Sequence, residues 1–560
     1  MFNFRRILQK GIDHPLGDLR EAKKLLGELP LDDPLKGLHE LNSWLAFVRN
    51  TEGYRLSDRV KLFKLLGEAV QPLQHALVSQ YLETPRMDRS RENRLWLRIF
   101  ESFRQLGEAY FDCIEAAEAS PDDAAAIREE LPLLTVRAVR ALAEQDKWLC
   151  MRYRPKDERI WERLAKLYRF SEAHLFTLGV VAPYGEQKGY SNVLLEFARA
   201  LLLNVAAPDK LLPGQIELAD RLSGHCAGGV SLTERPEADS MFYIDLSARK
   251  PPARLLKGMP INPAMRFFAA APTARKLQAL AALVKAGALP DEVDLSGFAP
   301  MEVMEVIGHL ERYWAPSPSQ RRHARKRIVT RLDVIHGTRQ IQRTIAAEKQ
   351  GLVAADEEEL LYREAVDMKI YGFVTAKTRM LKAAAAAQEA QADGKGQIES
   401  WVMENVSECG YGAVIPQLDE DWVGIGTILA LRPEGGTQWS VGLVRRLSRD
   451  REHRVYVGIE ILAKDPLAVR LWPLAREISI PESLSDAQAQ DHVCALLLKP
   501  IAGCGETDSL LVGSGNFVAG KVFEMPIRGD KRLIKLDRLL EAGQDFQRVS
   551  FVDVHPPRHG

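Results

Sequence analysis

Neither sign of charge is in excess in this chain. Lysine plus arginine and aspartate plus glutamate number 76 each. That balance excludes a protein that coats nucleic acid or an anionic membrane along its whole length, so an anion site has to come from a local concentration of charge. Long hydrophobic runs are also missing. Even the apolar stretch 193–207 is broken by Glu196 and Arg199, and nothing reaches the length needed to cross a bilayer. The opening residues are charged from Arg5 and hold no apolar region long enough for a signal peptide. The six cysteines, Cys113, Cys150, Cys226, Cys409, Cys494 and Cys504, show no CxxC and no Cys/His ligand spacing. They read as reduced, mostly buried thiols of a cytoplasmic, soluble chain with no metal site and no membrane insertion.

At 560 residues a single core is not expected, and three or four domains are. Up to about residue 225 the helical period dominates. Leu19, Ala22, Leu25 and Leu26 form one apolar stripe, and Val60, Phe63, Leu66 and Val70 another. Breaks at DHPLGD, LPLDDP, ETPRMD, EASPDD and APYGEQKG predict ordinary helices joined by short turns. No fixed-period repeat is present, so the expectation is a helical bundle or loose solenoid. Residues 226–315 read as a small α/β or helical extension. Short strands are predicted at Val230–Leu232, Phe242–Ile244 and Phe267–Phe268, then a helix closed by Gly287 and a second at Met301–Trp314.

The linker Ala315-Pro316-Ser317-Pro318-Ser319 forbids a continuous helix. Past residue 400 the period changes to two. Val455, Val457, Ile459 and Ile461 alternate with Tyr456, Gly458 and Glu460, as on a strand with one buried face. Gly435-Gly436 predicts a hairpin turn, and strand-like runs recur at Leu510–Val512, Lys521–Met525 and Val549–Val554.

Two motifs carry chemistry. The first is the arginine run Arg321-Arg322-His323-Ala324-Arg325-Lys326-Arg327, and the second is Asn405-Val406-Ser407-Glu408-Cys409-Gly410. A planar guanidinium donates paired hydrogen bonds to phosphate oxygens or to O6 and N7 of guanine, and its face stacks on a purine. Asn405 and Ser407 are short polar groups, and Gly410 suits a turn or a close approach. Read as RxxxR followed by NxSxxG, the pair resembles the signature of the PilZ domain family. Val455–Leu462 is similar to that family's closing strand.

The resemblance covers roughly residues 320–465 and implies an antiparallel β-barrel that binds cyclic di-GMP without chemistry on it. Arg321 and Arg325 take the first motif, with Arg322 as a helper, and Asn405, Ser407 and Gly410 the second. Arg327 stands at nearly as good a distance from the strand as Arg325. The motifs lie further apart than is usual in the family, and residues 341–396 between them read as a helical insertion.

The expected fold is therefore multidomain α+β. A helical module, 1–225, and its extension, 226–315, precede a PilZ-like barrel, 320–465, and a further β-rich unit, 466–560. The expected function is a cyclic di-GMP effector, not an enzyme. Its helical module or insertion would bind a protein partner, with an output in motility, biofilm or exopolysaccharide production. The alternative is an interaction scaffold with a non-binding barrel. DNA or RNA is not expected, because no aromatics interleave with the arginines.

Other features are declined. Gly515–Val522 approaches a Walker A loop but ends in Val where a magnesium-binding hydroxyl is needed, and a strand follows. His225-Cys226 lacks a partner that would activate the thiol, and Glu237 with Asp239 reads as a solvated loop. Trp44, Trp96, Trp148 and Trp161 read as core. No G-x-S-x-G, H-E-x-x-H or diguanylate-metabolising motif is present, so no catalytic residue is assigned.

Overall fold

The computed structural model describes residues 12, 14–84, 87–288, 292–317, 323–350, 366, 368, 398–415, 422–452, 454–474, 492–501, 507–527 and 530–554. They form two compact units, 1–320 and 321–560.

The first unit is built on helices α1 (Leu19–Gly27), α2 (Pro34–Asn50), α3 (Leu56–Glu83), α4 (Arg89–Ala119), α5 (Pro121–Ile127), α6 (Leu131–Met151), α7 (Glu158–Ala173), α8 (Val193–Val205) and α9 (Pro213–Cys226). The polar breaks in the sequence do more than interrupt helices; they cap them. Asp18, Asp33, Asp88 and Ser120 each accept a first-turn amide, of Arg20, Lys36, Arg91 and Asp123 respectively. Pro34 and Pro121 stand where a missing N–H costs nothing.

A small antiparallel sheet follows, with strands β1 (Phe242–Asp245), β2 (Ala253–Arg254) and β3 (Met265–Phe268) in the order β2-β1-β3. Helices α10 (Ala271–Lys285) and α11 (Pro300–Trp314) complete the unit, and Gly287 stands at φ +74° just past α10. The strand expected at Val230–Leu232 does not form. Only Thr233 pairs, in an isolated bridge to Phe267. Pro236, three residues on, has no N–H with which to extend the ladder. One apolar core runs from the first helices through this extension to Trp314.

Helix α6 is enclosed on nearly every side, and charge goes in with it. Lys147 Nζ lies 2.7 Å from Glu144 Oε2, 2.9 Å from Glu217 Oε2 and 2.9 Å from Asp220 Oδ2. Arg199 also holds Asp220 and Glu144. Asp146 is held in the same way: Trp161 Nε1 donates to Asp146 Oδ1 at 3.1 Å, and Lys156 Nζ holds Asp146 Oδ2 at 2.8 Å. Each buried charge thus meets its opposite, which is the condition for keeping it inside.

His309 on α11 contacts the Ala206 carbonyl through Nε2 at 2.6 Å, and burial pushes its pKa down to about 4. The folded state therefore favours the neutral ring. The contribution is present above pH 6.5 and is lost as pH falls from there towards 4, because the unfolded chain takes up the proton first. By pH 5 about 2 kcal/mol of stability should be gone. Melting curves at pH 7 and pH 5 are expected to show this drop in wild type. It should be absent in His309→Gln, which keeps a neutral donor.

The second unit holds two closed six-stranded barrels. The first contains β4 (Lys326–His336), β5 (Glu399–Ser407), β6 (Gly410–Ile415), β7 (Ile428–Pro433), β8 (Ser440–Arg449) and β9 (Val455–Lys464), in the order β4-β5-β6-β9-β8-β7. The second contains β10 (Leu467–Pro473), β11 (Val493–Leu498), β12 (Ser509–Gly513), β13 (Val522–Ile527), β14 (Asp530–Ala542) and β15 (Phe546–Asp553), in the order β10-β11-β12-β15-β14-β13. Counted from its own first strand, each barrel has the same neighbour relations. The β-rich end of the chain is a second barrel of the first one's topology.

Helix α12 (Thr338–Gln350) leaves β4 and lies between the barrels. Its Ile341 and Ile345 join Trp439, Val441 and Leu443 of the first barrel and Leu496, Leu498, Leu511 and Phe546 of the second in one apolar seam. That seam explains why β8 opens with a continuous buried run, Ser440–Val444: one face fills the barrel and the other meets its neighbour. The rest of the expected insertion, apart from residues 366 and 368, lies outside the described residues. The Walker-like stretch is a loop between β12 and β13, with Gly515 and Gly520 at φ +83° and +82°.

Candidate functional site

The hairpin β5–β6 carries the second motif. Ser407 pairs with Gly410 across a two-residue turn, Glu408-Cys409, and Ser407 Oγ donates to the Gly410 carbonyl at 3.1 Å. The turn packs against β9, where the Ile461 amide donates to the Cys409 carbonyl at 2.9 Å. Gly410 is required by proximity: a Cβ there would stand 2.7 Å from the Ile459 carbonyl oxygen, backbone that cannot move aside.

A β-bulge sets the direction of Asn405. Trp401 and Met403 point into the barrel, so strict alternation would turn Asn405 inward as well. The register shifts between Met403 and Asn405, and Asn405 then stands opposite Gly412 on the outer face. Its amide lies over that glycine, and a Cβ on Gly412 would come within 2.4 Å of Nδ2 and 2.6 Å of Oδ1. Asn405 Oδ1 is buried and has no hydrogen-bond partner. A desolvated acceptor of this kind costs free energy unless a ligand supplies the donor.

The arginine run reaches the same place. His323 Nδ1 stands 2.9 Å from Glu408 Oε2, so the segment before β4 is tied to the tip of the hairpin. Arg325 and Arg327 are exposed, and Arg327 is the direct cross-strand neighbour of Asn405. Arg321 and Arg322 lie outside the described residues. Arg325, Asn405, Ser407 and Gly410 are thus gathered around one end of the barrel.

Sequence reading missed part of this face. Across the sheet the register runs Arg327, Asn405, Gly412, Gly458, Arg446. Arg446 escaped notice because a second bulge, between Val444 and Arg446, reverses the face that alternation assigns it. The available signal was the doublet Arg445-Arg446 inside an apolar strand.

One expectation about cysteine needs correction. Cys409 is disulfide-bonded, not a reduced thiol. As a turn residue it is only half-buried, so its sulfur is not sealed in a core. Cys113, Cys150 and Cys226 are free and buried, and Cys494 is free and exposed. Among the described residues no cluster of His, Cys, Asp or Glu could hold a metal ion, and no helix is long and apolar enough to cross a membrane.

A closed six-stranded antiparallel barrel with this hairpin and closing strand defines a PilZ domain. A family model described as the middle PilZ domain of the cyclic-di-GMP receptor FimW matches residues 336–466. Another, described as the N-terminal domain of the same receptor, matches residues 20–237. Together they span more than half of the chain, which belongs to the FimW family of cyclic-di-GMP receptors. The PilZ match includes Asn405, Ser407 and Gly410 but begins after the arginine run, and the second barrel lies beyond it. No curated protein and no solved structure matches the chain.

Proposed function

We propose that this protein is a cyclic di-GMP effector whose ligand binds on the outer face of the first barrel, between the arginine segment and the Asn405–Gly410 hairpin. The observation that carries this is the His323–Glu408 contact, which ties the run holding Arg321, Arg322 and Arg325 to the turn of the second motif. The buried, unpartnered Asn405 Oδ1 supports it as an acceptor waiting for a guanine N–H. Arg325 supplies a fork for phosphate or for guanine O6 and N7, and Arg321 and Arg322 take the same part if they close over the ligand. Ser407 and Gly410 shape the approach. The reaction is binding alone, with no catalytic residue and no cofactor.

Ligand binding would order the arginine segment. Because that segment follows the linker from the helical unit, it could change how the unit meets a protein partner, provided the ligand binds two arrangements with different affinity. Motility, biofilm or exopolysaccharide production is the output we assign, in the cytoplasm and without nucleic acid.

The test is calorimetric titration of the full chain with cyclic di-GMP, beside GTP and cyclic di-AMP. Wild type is expected to bind cyclic di-GMP selectively, with a Kd on the order of 1 μM, near −8 kcal/mol. Arg321→Ala/Arg325→Ala should lose that binding while keeping its melting temperature. Absence of binding by folded wild type at tens of micromolar ligand, about −6 to −7 kcal/mol, would favour the scaffold reading.

A further inference from the structure

We propose that Arg446 is a further ligand-contacting residue of this site, meeting a guanine held on the low outer face that it shares with Asn405, Gly412 and Gly458. The proposal rests on the receptor reading and adds to it a residue and a mode of guanine recognition.

That face follows from the register. Gly412 and Gly458 are direct neighbours on β6 and β9, with Asn405 opposite the first and Arg446 opposite the second. Directly opposed residues place their side chains on the same face of a sheet. Where two of them have no side chain, the face between Asn405 and Arg446 is low, with only the Asn405 amide over Gly412 and the Arg446 stem along Gly458. Both strands are paired on both sides, β6 with β5 and β9, β9 with β6 and β8, so their amides are committed to the ladder. A low face without free backbone donors suits the flat face of a purine and offers little to a phosphate.

Arg446 leans over this face. A Cβ built on Gly458 would meet Arg446 Cβ at 3.1 Å and Cδ at 4.0 Å, so the aliphatic stem lies along the glycine, and Arg446 is exposed. An arginine fork on this face can take O6 and N7 of a guanine that also meets Asn405. Tyr456, next but one to Gly458 on the same outer face of β9, bounds the low region along the strand.

The bulge that turns Arg446 outward is anchored from the second barrel. Its neighbour Arg445 bonds Glu460 at 2.6 Å and is held by both carboxylate oxygens of Glu541 on β14. Burial opposes the charge on Arg445, and the Glu541 and Glu460 carboxylates together more than offset it, so its pKa stands above the ordinary arginine value. Adjacent arginines thus divide the work: one fastens the bulge to the neighbouring barrel and the other lies on the low outer face.

The experiment is titration of the full-length protein and of Arg446→Met and Arg446→Lys with cyclic di-GMP and cyclic di-AMP, with melting curves alongside. Methionine keeps the apolar stem and lysine keeps the charge, so each removes the fork. Both variants are expected to bind cyclic di-GMP at least tenfold more weakly at unchanged melting temperature. Their preference over cyclic di-AMP, whose adenine lacks O6, should shrink by a similar factor. Wild-type affinity and selectivity in Arg446→Met, with binding still lost in Arg321→Ala/Arg325→Ala, would overturn this inference and leave the receptor reading intact. Failure of wild type itself to bind would overturn both.

Discussion

Gly412→Val is expected to abolish cyclic di-GMP binding, by 100-fold or more in Kd, in a protein that still folds. A Cβ at this position would overlap the Asn405 amide, with 2.4 Å to Nδ2 and 2.7 Å to Cγ. What yields is the end of a half-buried side chain and not backbone, so Asn405 swings off the face and the barrel stays closed. Valine is itself at home in a strand, which limits the cost to the fold. The ligand then loses its asparagine contact and meets two methyl groups where a base would lie. Calorimetry with a melting curve on the same sample separates the effects. Binding at the wild-type level would show that the Gly412 face is not the site.

The largest loss of stability is expected in the helical unit, from Lys147→Met. Removing the ammonium leaves Glu144, Glu217 and Asp220 facing one another in a buried site, with Arg199 as the remaining shared cation. Breaking a buried pair in this way costs about 3–5 kcal/mol, because the unpaired charge stays desolvated. Denaturant titration followed by circular dichroism should show the helical transition shifted by that amount, and Lys147→Met/Asp220→Asn should recover part of it. A shift below about 1 kcal/mol would place this cluster among weak, solvent-screened pairs. Acid should act on the same residues. Burial would raise the Asp220 and Glu217 carboxyls, but Arg199 and Lys147 outweigh it at Asp220, Lys147 with Arg221 does so at Glu217, and both stand below the ordinary carboxylate range. Their contribution is present above that range and is lost as pH falls through it.

Much of this molecule is legible in its sequence because several local rules agree. The polar breaks in the first half are the N-caps Asp18, Asp33, Asp88 and Ser120, and the alternation of Val455–Ile461 is the buried face of β9. Asn405, Ser407 and Gly410 could be read from their spacing. What could not be read depends on one inserted residue in each of two strands. The bulges before Asn405 and Arg446 exchange inside for outside, and a period of two carries no mark of that exchange. Nor could the second barrel's closure be seen. It rests on pairings such as Trp472 with Glu524 and Leu510 with Val549, between segments whose local patterns would serve equally in an open sheet.

The junction between the barrels has a mechanical consequence. β9 ends at Lys464 and β10 begins at Leu467, so only Asp465 and Pro466 join them, and the apolar wedge of Ile341 and Ile345 fills the gap beside that joint. A pivot needs slack chain and a seam that water can enter, and this joint has neither. Torque applied at the Gly412 face therefore passes through Arg445 and Glu541 into the second barrel as through a single solid. The far barrel is a lever arm fixed to the first, and it lengthens whatever movement the first barrel makes.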